Sequence, residues 1–466
     1  MRWMRWLIPV VLLSLSGPRP PSQYDAPLPT ARAAAPIGVR DGVAHFRAPP
    51  VPDGRLVVVV SALGNSPDAY PVSIRLTEPP RNLALAVSPP LLAISSYRGP
   101  RHTPVVRDSF VIPVAASRPL PGPVRVFDVP LLNGRPLNNG GSMRVRARFA
   151  AGGRRSAVYL DEAAQRDPGH GELARAIVAL LDTSIIPAGD RLVGPAADID
   201  GDHRLTVLLT PLLQHLQNGQ TSVGGFVRAD DFRPQLQPPR SNQADMIYLN
   251  TSLAPGHGLA DVLWHEYRHV LAFSHRDALG HASEEDWLNE AIAHLAEPGP
   301  TNIEHRVNAY LAEPSRFPLV VPNYYQAGLW RCDGVRGSTF LFLDWCRQHH
   351  GEQLVSRMLR SRKTGIENLV AVTGTPFPRL FRSWSLAMVS GHAPLGQSGP
   401  VLLRWDVGQP LDIRVAGTAT CYVVPLHLPT GAMVRIEAPA AARLQVTATI
   451  SPASGSSLRP STSGAP

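Results

Sequence analysis

The residues best suited to carry chemistry are His265, Glu266 and His269, which are spaced as HExxH. Histidines four residues apart lie on one face of a helix, so both imidazoles can reach a single metal ion. Glu266 directly follows the first histidine, which places its carboxylate where it can accept a proton from an attacking water. Apolar residues recur at helical spacing through 259–273, so the sequence predicts a helix that carries the motif.

A catalytic zinc site needs a third protein ligand and an open position. Glu290 is the first candidate, because it falls in the first turns of a second predicted helix. Ser283 and Asp286 resemble a capping box at the start of that helix, and Pro298 would end it. The spacing therefore predicts a glutamate ligand presented by a separate helix.

His275 is the second candidate for the third ligand, because the stretch matches HExxHxxGxxH at each ligand position. Ala272 stands where that pattern has a glycine, and alanine resists the backbone conformation that would turn the chain back. The sequence favours Glu290 and leaves His275 open. A helix whose histidine pair is simply hydrogen-bonded in a core is the non-catalytic alternative.

The segment resembles the gluzincin zinc peptidases, in which a second helix supplies a glutamate ligand after HExxH. More narrowly, ADMIYLN before the motif and DWLNEAIAHLAE after it are similar to hyicolysin-type secreted bacterial metallopeptidases. The resemblance covers about residues 141–390. It implies a zincin-type catalytic domain, with the HExxH helix between a sheet half and a helical half. It also implies Zn²⁺ held by His265, His269 and Glu290, with Glu266 as general base.

The resemblance further implies a tyrosine or histidine of the helical half that stabilises the oxyanion. We assign this role to Tyr325, with Tyr324 and Arg336 as alternatives that spacing does not separate. Ala291 departs from the family, which has glycine after the glutamate ligand. His294 also departs, since gluzincins often carry there an acidic residue that orients a ligand histidine. A neutral His294 would accept a hydrogen bond from that ligand more weakly, which would reduce metal affinity.

Composition narrows the set of partners. The net charge is +9, from 45 basic and 36 acidic residues, but Lys363 is the one lysine and the arginines are scattered. Together with 48 prolines, this skew indicates coding bias rather than a nucleic-acid-binding surface. Cys332, Cys346 and Cys421 do not make a disulfide framework, although Cys332 and Cys346 could pair in an oxidising compartment. The sequence predicts a protein or peptide substrate and leaves the oligomeric state open.

The chain begins with a pattern typical of a secretory signal peptide. Residues 1–17 hold two arginines, then an apolar run too short to span a membrane, then small residues. We therefore expect a secreted protein, extracellular or periplasmic, without stable membrane insertion. The predicted division of the remainder is a linker at 18–36, an N-terminal β-rich domain at 37–120, the metallopeptidase domain at 121–398, a C-terminal β module at 399–450 and a disordered tail at 451–466. Whether 18–120 is a removable pro-segment stays open.

Within 121–398, strand-like runs precede helical runs, which predicts an α+β fold with the HExxH helix packed on a sheet. Asp198, Asp200 and Asp202 alternate as in a calcium loop. His203 and Leu209, however, stand where an EF-type loop needs glycine and glutamate, so a polar turn is favoured.

Taken together, the residues predict a secreted zinc-dependent endopeptidase. Two alternatives remain. One is a non-catalytic secreted or surface binding protein built on a decayed peptidase core. The other is a metzincin-type peptidase that uses His275 as third ligand.

Overall fold

The computed structural model is a mixed α and β protein, which agrees with the predicted α+β class. The structure describes residues 32–51, 55–65, 68–78, 92–94, 122–130, 141–214, 223–299, 301–321, 332–390, 399–451 and 458–459. Several segments and residues that the predictions concern lie outside these ranges. They are the signal peptide, most of the linker, residues 105–113 of the predicted N-terminal β-rich domain, most of the C-terminal tail, Tyr324 and Tyr325.

The described strands form three sheets. In chain order they are β1 (Arg32–Ile37), β2 (Val39–Arg40), β3 (Val43–Arg47), β4 (Arg55–Ala62), β5 (Tyr70–Thr77), β6 (Leu92–Ile94), β7 (Val124–Pro130), β8 (Ser142–Gly152), β9 (Ser156–Asp161), β10 (Leu205–Thr210), β11 (Gly225–Phe226), β12 (Met246–Asn250), β13 (Leu402–Asp406), β14 (Leu411–Val415), β15 (Ala419–Leu426), β16 (Met433–Glu437), β17 (Gln445–Ser451) and β18 (Leu458–Arg459).

The helices lie between β9 and β13. They are α1 (Gly169–Leu180), α2 (Ile186–Val193), α3 (His257–His275), α4 (Asp286–His294), α5 (Thr301–Ala312), α6 (Asp333–His350), α7 (Leu354–Arg360), α8 (Gly365–Thr373) and α9 (Phe377–Ser390), with a π-helical turn, Leu181–Ile185, between the first two. Within the described ranges, no helix has both the length and the apolar character that a bilayer span requires.

The sheet nearest the HExxH motif has six strands in the order β11-β12-β10-β9-β8-β7. Strands β9, β10 and β12 run parallel, and β10 and β12 are buried along their whole length. Such strands are apolar on both sides because both faces of the sheet are covered. Val207 and Ile247 face the helices, whereas Leu208 and Tyr248 pack into a smaller core on the other face. Helix α3 follows β12 directly, so the sheet fixes where the motif lies.

Helix α4 begins differently from the prediction. The capping box is wrong: the residue before the helix is Glu285, and no side chain caps it. Ser283 instead donates to Asp277 at 2.5 Å and accepts from Arg233 at 2.9 Å. The Ser283 hydroxyl bonds to this charged pair because the buried carboxylate of Asp277 needs hydrogen-bond donors.

Strands from the two ends of the chain share two sheets. One has the order β18-β13-β15-β4-β17-β1-β6 and the other β14-β5-β16-β3-β2, and their facing sides form one core. Described strands of the segments predicted as separate modules, 37–120 and 399–450, therefore build a single β-sandwich, and the region that carries the HExxH motif lies between them in the chain.

Strand β4 shows why the two ends come together. Its four consecutive valines are all buried. Val58 and Val60 point into the sandwich core, whereas Val57 and Val59 join the core of the helical region. A strand that is apolar on both faces is stable only at the centre of a covered sheet. The C-terminal strands β15 and β17 supply both of its neighbours.

The cysteines cannot form the bridge that the sequence left open. Cys332 immediately precedes α6 and Cys346 lies within it, so about 21 Å of helix separates them at roughly 1.5 Å per residue. A disulfide requires Cα atoms closer than about 7 Å. Cys332, Cys346 and Cys421 are free thiols.

The position of β4 predicts that the N-terminal strands are retained in the folded protein. If a protease site is inserted between residues 78 and 122 and cleaved, the two fragments should co-elute in gel filtration and separate only in denaturant. Each buried valine of β4 contributes about 1.5–3 kcal/mol to that association. A mature protein that has lost the N-terminal fragment yet keeps its unfolding midpoint would contradict this expectation.

Candidate metal centre

Helices α3 and α4 bring together the three side chains predicted as ligands. Donor atoms of His265, His269 and Glu290 form a group that could hold a metal ion, with all three residues buried. Nε2 of His265 lies 3.3 Å from Nε2 of His269 and 3.4 Å from Oε2 of Glu290. Nε2 of His269 lies 3.7 Å from Oε1 of Glu290.

These separations fit a tetrahedral site. For metal–ligand bonds of about 2.0–2.1 Å, neighbouring ligand atoms of a tetrahedral zinc lie about 3.3–3.4 Å apart. Two histidines and one glutamate are also a donor set that catalytic zinc uses, with the fourth position left open. The residues present therefore fit the metal that the sequence implied.

The side chains of the three candidate ligands have different pKa shifts. Burial alone would lower the pKa of His265, but hydrogen bonds with Glu290 and Glu297 raise it to about 9. Burial lowers the pKa of His269 to about 4. Burial would raise the pKa of Glu290, yet the guanidinium of Arg336 and the two imidazoles hold it well below its usual range. Glu290 is thus an anion at neutral pH, as a ligand must be.

Glu266 lies on α3 directly after His265 and is buried. Its Oε2 makes no hydrogen bond, and burial raises the pKa of this carboxyl to about 7. Strand β11 approaches it closely, since a Cβ atom at Gly225 would lie 3.2 Å from Cγ of Glu266 and 2.8 Å from Cδ2 of Leu249. Glycine at 225 therefore lets the backbone of the sheet run alongside the carboxylate.

His275 lies at the end of α3 and does not join the group. Its ring is hydrogen-bonded to the backbone of Gly194, which follows α2. Helix α3 continues without a break through Ala272 as far as His275, so the turn needed to bring a third histidine to the metal is not made. The geometry favours Glu290 over His275.

Glu297 is the residue that the sequence interpretation missed. Its Oε1 accepts a hydrogen bond from Nδ1 of His265 at 2.8 Å and another from Nδ1 of His294. His294 was expected to accept a hydrogen bond from a ligand imidazole, and this expectation is wrong: His294 donates to Glu297, and burial lowers its pKa to about 3. Glu297 lies three residues beyond the last residue of α4, so helical spacing from Glu290 does not predict its position.

Arginines of α5 and α6 complete the surroundings. Arg336 donates to Glu290 through Nη2 and to Nε2 of His294 through Nε at 2.9 Å. Arg306 reaches the same Nε2 at 3.0 Å. The two helices can lie this close because residue 337 is a glycine. A Cβ atom at this position would collide with the carbonyl oxygen of Arg306. Arg336, one of the three residues considered for the oxyanion, is thus occupied with Glu290 and His294.

The aspartate triplet behaves as a polar turn. Carboxylates of Asp198, Asp200 and Asp202 converge and could hold a cation. Arg125 donates to Asp200 at 2.8 Å, and Asp202 accepts from the backbone N–H of Arg204 at 2.7 Å. Protein donors therefore already engage these carboxylates.

Comparison of the sequence with protein-family models and with curated proteins finds no match to either. The chemistry of the site is therefore inferred from its own residues and their geometry.

Metal content should separate the two candidate third ligands. Glu290→Ala should weaken zinc binding by more than the roughly 10–100-fold that loss of an outer partner costs, because one corner of the tetrahedron is removed. His275→Ala should leave zinc binding nearly unchanged. Zinc stoichiometry of the two purified variants after dialysis is the measurement. Loss of metal in His275→Ala with retention in Glu290→Ala would replace this ligand set by the metzincin type.

Asp245, at the start of β12, should make stability depend on pH. Burial, aided by Asp200 and Asp198, raises its pKa to about 8, against about 3.9 in an unfolded chain. The fold thus favours the protonated acid, so its contribution is complete below pH 4 and is lost as the pH rises through 8.

In urea titrations from pH 4 to 9, Asp245→Asn should flatten the decline that the parent protein shows. Parallel curves for the two proteins would contradict the assignment of this pH dependence to Asp245.

Proposed function

We propose that this protein is a secreted zinc-dependent endopeptidase of the gluzincin type, with a zincin-type catalytic domain. The observation that carries the proposal is the tetrahedral spacing of His265, His269 and Glu290 beside the buried carboxylate of Glu266. Export by residues 1–17 and a protein or peptide substrate belong to the same proposal.

The side chains would divide the work. Zn²⁺ bound by His265, His269 and Glu290 would supply Lewis acidity toward water and a peptide carbonyl. Glu266 would accept the proton of the attacking water and pass it to the leaving amine. Its Oε2 makes no hydrogen bond, so it is available for that proton. Tyr325 is retained in the proposal as the donor to the oxyanion.

Strand β11 supports a peptide as the substrate. Among the described strands it is the edge of the six-stranded sheet, antiparallel to β12. An edge strand offers unpaired backbone groups, to which an extended peptide can add as a further strand. Gly225 brings this edge next to Glu266, and Phe226 stacks on Tyr248 with ring centroids 4.4 Å apart. A peptide added there would pass beside the proposed base.

Tyr248 helps hold the loop that follows β11 in place. Its hydroxyl donates to the buried carboxylate of Asp231 at 2.7 Å, and Asp231 in turn accepts from Arg228 at 2.6 Å. Such a buried hydrogen-bond network fixes backbone position. The stack between Phe226 and Tyr248 connects this network to the edge strand.

The alternative of a binding protein on a decayed peptidase core has less support. Loss of catalysis usually removes the base or a ligand, whereas Glu266 is present and the three ligand residues are present and close together. Zinc analysis joined to a peptide-library digest, with and without a chelator, distinguishes the two functions. One zinc per chain together with chelator-sensitive cleavage supports the peptidase. A protein that holds zinc but cleaves no peptide in the library would support the binding protein.

Glu266→Gln should keep zinc and lose turnover. The amide preserves the shape of the side chain but cannot accept a proton, so kcat should fall on the order of 10²-fold or more. Glu284→Gln is the matched control, because Glu284 is another buried carboxylate, bonded to Gly365 and Asn368 away from the ligands. Near-parental hydrolysis by Glu266→Gln would exclude Glu266 as the base.

A further inference from the structure

One carboxylate oxygen next to the proposed metal ligands accepts hydrogen bonds from two imidazole N–H groups. Oε1 of Glu297 accepts from Nδ1 of His265 at 2.8 Å and from Nδ1 of His294, whereas Oε2 makes no hydrogen bond. All three residues are buried. The pairing leaves Nε2 of His265 as the nitrogen that faces Glu290 and His269.

The end of α4 creates this arrangement. Glu290 and His294 are spaced i and i+4 on one face of α4, and Glu297 lies three residues beyond the last residue of the helix. The last turn tightens, because the backbone N–H of Glu297 bonds to the carbonyl of His294 at 3.3 Å, and Pro298 follows. The side chain of Glu297 is thereby aimed back at α3.

His294 has one hydrogen-bonding state in this setting. Its Nε2 faces the guanidinium groups of Arg336 and Arg306, at 2.9 and 3.0 Å, and a guanidinium can only donate. Nε2 must therefore accept, and the ring proton is on Nδ1, directed at Glu297. The carboxylate of Glu297 accepts, so Nδ1 of His265 must donate as well.

The same contacts argue against a second metal ion. His265, His294 and Glu297 have the spacing of a metal-binding group. However, both Nδ1 atoms carry protons shared with Glu297, and two guanidinium cations face Nε2 of His294. A divalent cation would have to displace these donors against like charge.

We propose that Glu297 is the positioning residue that fixes His265 for a single metal ion, and that His294, held by Arg306 and Arg336, orients Glu297 rather than binding metal. The inference rests on the proposed metal site. It assigns to Glu297 the role of the orienting carboxylate. The family resemblance puts that acid at the position where this sequence has His294.

The test compares zinc dissociation constants of purified full-length variants, measured by competition with a chelator. Glu297→Gln should weaken zinc binding 10–100-fold, because the neutral amide is a poorer acceptor for Nδ1 of His265. His294→Ala should weaken binding by a smaller factor, since Glu297 stays but loses its orienting partner. Glu284→Gln is the control for a buried carboxylate that supports only the fold, and its zinc affinity should match that of the parent.

The Co²⁺-loaded proteins give a second readout. Glu297→Gln should keep the visible absorption of a site with the parental ligand set while binding Co²⁺ more weakly. An unchanged zinc constant in Glu297→Gln, when the parent binds zinc and cleaves peptides, overturns this inference and leaves the proposed function standing. A second tightly bound zinc that disappears in Glu297→Gln also overturns it. A parent protein that binds no zinc overturns both.

Discussion

Burying charge in an apolar interior is costly, and the centre of this protein is organised by that constraint. Three carboxylates, three imidazoles and two guanidinium groups lie there, and they include the proposed ligands and base. Nearly all of them belong to one contact network that involves α3, α4, α5 and α6. Each helix supplies a different part: α3 the histidine pair and Glu266, α4 Glu290 and His294, and α5 and α6 the arginines, while the turn after α4 supplies Glu297. Gly337 permits the close approach of α5 and α6, since a Cβ atom at that position would collide with the carbonyl oxygen of Arg306.

Local sequence signals predicted the parts of the site that depend on a single helix. The HExxH spacing and the apolar stripe located α3, and the pattern around Glu290 located α4. The role of Glu297 was not predicted, because this residue lies beyond the end of α4, where helical spacing from Glu290 no longer applies. Arg306 could not be found, since its contact with His294 depends on the packing of α5 against α6, which no local pattern encodes.

The fold shows the same limit on a larger scale. Runs such as Val43–Arg47 and Leu205–Thr210 form strands, and the period and β-branched content that favour a strand are local properties of the sequence. Strand pairing is not local. Nothing in the neighbourhood of β4 reveals that its partners lie near the other end of the chain, although four buried valines do require cover on both faces. Architecture sets the same limit on function, because a mixed α and β fold alone hosts many chemistries.

The pairing of β4 also sets an order of events during synthesis. Ser61 of this strand hydrogen-bonds to Thr420, which follows it by 359 residues. At about 5–20 residues per second, the ribosome reaches β15 roughly 20–70 s after it has made β4. During that interval the valine-rich strand has neither neighbour, and its open edges can pair with other chains. The region that carries the HExxH motif is complete in sequence before then, so β4, the central strand of the largest sheet, gains its neighbours only after that region has been made.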